Sequence, residues 1–238
     1  NNLQILDQIA ALRWIYENIA SFGGDRNNIT VFGQSAGAYS ISTLLLIPEA
    51  TQYFQKAICQ SCAVDESLKT KEQSLYIGRT FRELTGAETM EDCLNLTAEQ
   101  ILQTVPGIMQ NPLCPAFCAV RDGELLPTDI YQAFESGCAS EVTVMLGTTS
   151  GEYDTKCVDA SEDEILEMVK ESYFGEVTHQ MVEEYIGNEP GRDRRTALMD
   201  MFNDSMRLTV LALADSLACG GSDVYMYYID CMDEGDKI

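Results

Sequence analysis

The stretch ITVFGQSAGAYSISTLLLIP, residues 29–48, decides the fold. Its first five residues are apolar and partly β-branched, which predicts a buried strand over 29–33. From Ala36 to about Ile47 the chain reads as helix, and Pro48 stops it. Between the two, Gly33-Gln34-Ser35-Ala36-Gly37 spell G-x-S-x-G, the pattern of a nucleophilic serine on a tight turn. At average Gly and Ser usage of about 7% each, a chain of this length meets that pattern by chance roughly one time in ten. The strand–turn–helix setting therefore carries the weight. In that setting Gly33 and Gly37 let strand and helix approach closely, and Ser35 stands strained at the carboxyl end of the sheet. The Ala36 N–H, next after the serine, can donate to a developing oxyanion. The competing reading is a small-residue packing turn with no chemistry.

Outward from this stretch, apolar and polar residues alternate between two periods. Ile5, Ile9, Leu12, Tyr16 and Ile19 recur at helical spacing, so residues 3–20 are read as a helix ended by Gly23-Gly24. Trp14 lies on a face of that helix and is expected in the core. Further strands are expected at 56–61, 116–120, 141–147 and 223–229. Further helices are expected at 71–85, 97–104, 128–136, 161–173, 176–186 and 194–218. Strands alternating with helices argue for an α/β fold with a mostly parallel sheet and helices on both faces. Residues 1–238 show no repeat, linker or low-complexity stretch and are read as a single domain.

Composition sets the outer limits. The chain carries 38 acidic and 15 basic residues, a formal charge of −23. Such a surface repels phosphate backbones and anionic lipid, so no nucleic-acid partner is expected. No apolar run reaches the length of a membrane span: Leu44-Leu45-Leu46-Ile47 ends at Pro48, and 208–218 is interrupted by Thr209 and Asp215. The nine cysteines are an odd number with no disulfide-framework spacing. Cys59, Cys62, Cys114 and Cys118 have a spacing that a zinc set could use, but the first pair falls in a strand expected to be buried, and neither metal nor cofactor is expected. Asn28, Asn95 and Asn203 open N-x-[ST] sequons, which say little without a compartment. The compartment is left open: the odd cysteine count, with no signal peptide recognised in these residues, gives only a weak lean to a bacterial cytoplasm.

Longer stretches resemble the type-B carboxylesterases, which include cholinesterases and bacterial p-nitrobenzyl-esterase-like enzymes. Residues 1–40 are similar to that family's segment around its nucleophile, with Asp7-Gln8, W-x-x-x-N-I from Trp14 to Ile19, and F-G-G-D from Phe22 to Asp25. FQKAICQSCA (54–63), RDGELLPTDIYQAFESG (121–137), VTVMLGTTSGEYD (142–154) and DVYMYYID (223–230) resemble later segments. The resemblance implies an incomplete α/β-hydrolase fold, Ser35 as nucleophile and Glu152 as the acid of a catalytic triad. It implies a small-molecule ester substrate and hydrolysis through an acyl-serine without cofactor. Gln4 and Cys62 stand where the family has glycine. The family's glycine-rich oxyanion segment lies upstream of a stretch like Asn1–Gln8, and its catalytic histidine follows the late strand. Both are therefore expected outside this chain. The family also contains adhesion proteins, which commonly lack the serine; a non-catalytic binding member is the alternative.

A nucleophilic serine needs a base, and His179 is the one histidine present. It follows Ser35 and Glu152 in order but falls within an expected amphipathic helix, before the last strand. A base must stand on a loop at the carboxyl ends of the strands. His179 is not assigned that role.

Overall fold

The computed structural model describes residues 2–62, 64, 68–109, 118–172, 179–187 and 192–230, side chains at 109, 155, 172 and 179 excepted. In chain order the elements are α1 (Leu3–Asn18), a 3-10 turn (Ile19–Phe22), β1 (Thr30–Gln34), α2 (Ala36–Leu45), α3 (Pro48–Thr51), β2 (Lys56–Gln60) and β3 (Leu68–Thr70). Then come α4 (Lys71–Thr85), α5 (Met90–Leu94), α6 (Ala98–Leu102), α7 (Val105–Met109), β4 (Ala119–Arg121), α8 (Ile130–Glu135) and β5 (Thr143–Thr149). The rest are α9 (Asp154–Cys157), α10 (Glu162–Ser172), α11 (His179–Ile186), α12 (Arg194–Cys219) and β6 (Val224–Ile229). The expected strands and helices stand within a few residues of their predicted limits. Residues 116–117, 173 and 176–178 of those expectations, and Cys114, lie outside the described residues.

The sheet is parallel throughout, in the order β1-β2-β5-β6. Its register aligns Val31, Ala57, Val144 and Val224 in one row and Phe32, Ile58, Met145 and Tyr225 in the next. Successive strand residues point to opposite faces, so the two rows report on different sides of the sheet. Ala57, Cys59, Val144 and Leu146 are buried, together with Ala38, Ile41 and Leu45 of α2 and Val210, Leu213 and Leu217 of α12. On the opposite face Phe32 is 76% exposed, Tyr225 58% and Met145 41%. Helices on both faces were expected. Among the described residues the helical layer that shares the sheet's core lies on one face, and the other carries an uncovered apolar row.

Helix α12 joins two cores. Its second half closes the sheet core, while Leu198, Met201 and Phe202 in its first half pack with Ile165, Val169, Val182 and Cys157. Asp193 caps its start by accepting the Thr196 N–H. Helices α4, α5 and α6 each begin with a reciprocal capping box, led by Thr70, Thr89 and Thr97. Gly23 ends the first helical segment at φ +85°, a conformation open to glycine. Trp14, expected in the core, is 57% exposed and leans on the Phe22 ring; the buried stripe of α1 is Ile5, Ile9 and Leu12. Before α1, the Asn2 side chain pairs with the Val120 backbone in both directions, at 2.9 and 2.7 Å. This ties the chain start to β4 and to the turn in which Asp122 accepts three backbone N–H groups.

One face should therefore dominate the stability of this chain. Leu213→Ala is expected to lower the unfolding free energy by about 2–5 kcal/mol through a core cavity. Phe32→Ser should change it by less than about 0.5 kcal/mol. Urea denaturation of the two variants checks the contrast.

Candidate active site

Strand β1 runs directly into Ser35, and α2 leaves it. Ser35 adopts φ +50°, ψ −119°, outside the regions that residues with a Cβ ordinarily occupy. A residue held this way costs of the order of 1–3 kcal/mol and persists only where its surroundings impose it. Two hydrogen bonds do so here. The Ser35 N–H donates to the Gln60 carbonyl and its own carbonyl accepts the Tyr39 N–H, both at 2.9 Å. Its side chain does not cap α2, so the hydroxyl stays available at the turn. Ala36 opens α2, where the first backbone N–H groups of a helix lack partners within it.

The close approach expected at the two glycines is carried by one of them. A Cβ on Gly33 would lie 2.6 Å from the Gly37 carbonyl carbon, whereas a Cβ on Gly37 would meet nothing within 4 Å. Gly37 supplies the backbone against which Gly33 packs, and its own lack of a side chain is not what the contact requires.

Glu152 follows β5 on the same rim of the sheet. Its Oε1 accepts the Thr149 N–H at 2.6 Å, the Ser61 hydroxyl at 2.7 Å and the Thr149 hydroxyl at 3.2 Å. All three donors converge on one oxygen, which leaves Oε2 to face another group. Ser61, next after β2, is held at φ +53° and donates its N–H to the Gly147 carbonyl at 2.9 Å. Adjacent residues thus reach both predicted site residues: Gln60 holds the Ser35 backbone, and Ser61 holds the Glu152 carboxylate. Ser61 was not singled out from the sequence; its signal was its place directly after a strand, aligned beside the serine motif.

Tyr227 of β6 lies flat on Gly147, where a Cβ would come within 2.4 Å of its ring. Burial pushes its phenol up, the Glu152 charge adds to this, and a hydrogen bond with the Gln60 side chain opposes it. Cys62 is fully buried, and its thiol donates to the Ser42 hydroxyl of α2. It fills core space rather than the rim. Cys59 is equally buried, which pushes its thiol well up, followed in effect by the nearby Cys62. A protonated, enclosed thiol is a poor metal ligand. No cluster of three or more metal-ligating side chains occurs among the described residues. Helix α11, which starts at His179, packs through Val182 in the second core, apart from the core that carries the Ser35 turn.

A profile of the Carboxylesterase family matches residues 1–237. The chain belongs to the carboxylesterase family. It is 35% identical over 184 residues to the para-nitrobenzyl esterase of Bacillus subtilis, a match covering 74% of this chain and 37% of that enzyme. It is 30% identical over 265 residues to human neuroligin-2, covering 98% of this chain and 31% of that protein. The crystal structure of the Geobacillus stearothermophilus carboxylesterase EST55 superposes with a TM-score of 0.82 at 32% identity, covering 96% of this chain and 49% of that one. The chain therefore spans half or less of the length of these relatives. Its fold is the α/β-hydrolase fold of such carboxylesterases, and its family is one of hydrolases. No helix among the described residues is long and apolar enough to cross a membrane.

The asymmetry between the two motif glycines is testable. Gly33→Ala forces a Cβ against backbone and should cost about 1–3 kcal/mol. Gly37→Ala, on an open helical position, should gain about 0.5–1 kcal/mol. Thermal unfolding followed by circular dichroism separates them by sign.

Proposed function

We propose that the full-length protein hydrolyses carboxylic esters with Ser35 as nucleophile. The Ser35 hydroxyl attacks the ester carbonyl and passes its proton to a histidine outside this chain, which Glu152 orients and whose cation it stabilises. The oxyanion is met by the Ala36 N–H and by donors of a glycine-rich segment, also outside this chain. The protonated histidine returns its proton to the departing alkoxide, leaving an acyl-Ser35. Water, deprotonated by the same histidine, then releases the carboxylic acid and restores the serine. No metal or organic cofactor enters these steps. The single observation that carries the reading is the strained Ser35 backbone at a strand-to-helix turn, with its hydroxyl left uncommitted.

A second reading is favoured by the similarity to neuroligin-2, which extends over 98% of this chain: a binding member of the family without catalysis. Ser35, Ala36 and Glu152 together support the esterase instead. Labelling the full-length protein with a fluorophosphonate decides. The expected result is a stoichiometric adduct on Ser35, lost in Ser35→Ala, with ester hydrolysis lost in parallel. A full-length protein that stays unlabelled and inactive belongs to the binding reading. The 238 residues alone should hydrolyse esters at least about a hundredfold more slowly, since loss of an oxyanion donor by itself costs that much.

A further inference from the structure

The loop that carries Glu152 is fastened to α12 by residues no motif assigns. Asn203 accepts the Tyr153 N–H on Oδ1 at 2.8 Å and donates from Nδ2 to Asp154 Oδ1 at 2.8 Å. Its neighbour Phe202 stacks on the Tyr153 ring, with centroids 4.0 Å apart and planes 15° from parallel. The Lys156 ammonium stands over that ring at 4.7 Å. The second Asp154 oxygen lies so close to Gly151 that a Cβ there would come within 2.6 Å of it. The residues on either side of Glu152 are thus fixed, and the fixture is anchored on a 26-residue helix whose two halves are buried in two cores.

Ser61 and Thr149 set where Oε1 sits, but they do not hold the backbone behind it. Loops belong to the least stable part of a fold unless buried contacts and hydrogen bonds tie them down. Asn203 supplies such a tie to the residue directly after Glu152. We propose that Asn203 is a positioning residue for Glu152: its two hydrogen bonds keep the carboxylate aimed along the rim of the sheet. The inference rests on the esterase reading for its catalytic consequence, while the clamp itself can be observed without catalysis.

Asn203→Ala removes both hydrogen bonds. In this chain, hydrogen–deuterium exchange at the Tyr153 amide is expected to quicken about tenfold, with β2 and β5 unchanged. In the full-length protein, kcat for a p-nitrophenyl ester should fall roughly ten- to a hundredfold at unchanged KM. The acid limb of the kcat/KM profile should move to lower pH, because a loosened carboxylate raises the histidine's basicity less. Asn203→Asp alone keeps an acceptor for the Tyr153 N–H but sets two carboxylates against each other, so both readouts should fall between the wild type and Asn203→Ala. Combined with Asp154→Asn, it restores both hydrogen bonds with one reversed in direction, and both readouts should recover. Unchanged Tyr153 exchange in Asn203→Ala overturns the clamp. Quickened exchange with an unmoved pH limb and full kcat overturns its assignment to Glu152. A full-length wild-type protein without ester hydrolysis overturns the esterase reading instead, and the exchange result then judges the clamp by itself.

Discussion

The interactions made by Gln60 and Ser61, at the end of β2, hold the candidate site together. One peptide carbonyl takes the Ser35 N–H, and the next side chain gives its hydroxyl proton to Glu152. The serine turn and the acid loop belong to strands on either side of β2, so only a residue pair in the middle strand can touch both. Parallel pairing makes this possible, since it brings the carboxyl ends of β1, β2 and β5 to the same rim. The positive φ at Ser61, like that at Ser35, marks where local strain is accepted to aim a side chain.

Much of this was legible in the sequence, and the limits of legibility are physical. The strands of the sheet are short apolar runs bounded by glycine, proline or polar clusters, and each forms near its expected position. The long helices have enough turns to display a periodic stripe. The five-residue α5 does not, although Thr89 and Asp92 are its capping pair. The pairing of β3 with β4 was invisible because each has three residues. Ser35, Ala36 and Glu152 could be named because a motif or a resemblance attaches to them. Ser61 and Asn203 could not, since their importance lies in partners far along the chain. In the sequence Asn203 only opens a sequon, while in the fold its amide is engaged on both sides. Trp14 misled for a different reason: helical spacing shows which residues share a face, but tertiary packing chooses which face is buried.

The distribution of burial explains how a chain of half or less of its relatives' length keeps a formed turn at Ser35. Every structural support of Ser35 is internal: the Gly33–Gly37 approach, the Gln60 carbonyl and the first turn of α2. The supports of Glu152 are internal as well.

The uncovered row of Phe32, Met145 and Tyr225 has a colloidal consequence for this stretch of polypeptide by itself. It adjoins β1, which among the described residues pairs on one side only, with β2. An open ladder edge beside bare apolar surface is a template for self-association. Against it stands the −23 charge, whose repulsion is screened beyond about 8 Å at physiological ionic strength. Dispersal and clumping of these molecules in solution are therefore set against each other by dissolved salt.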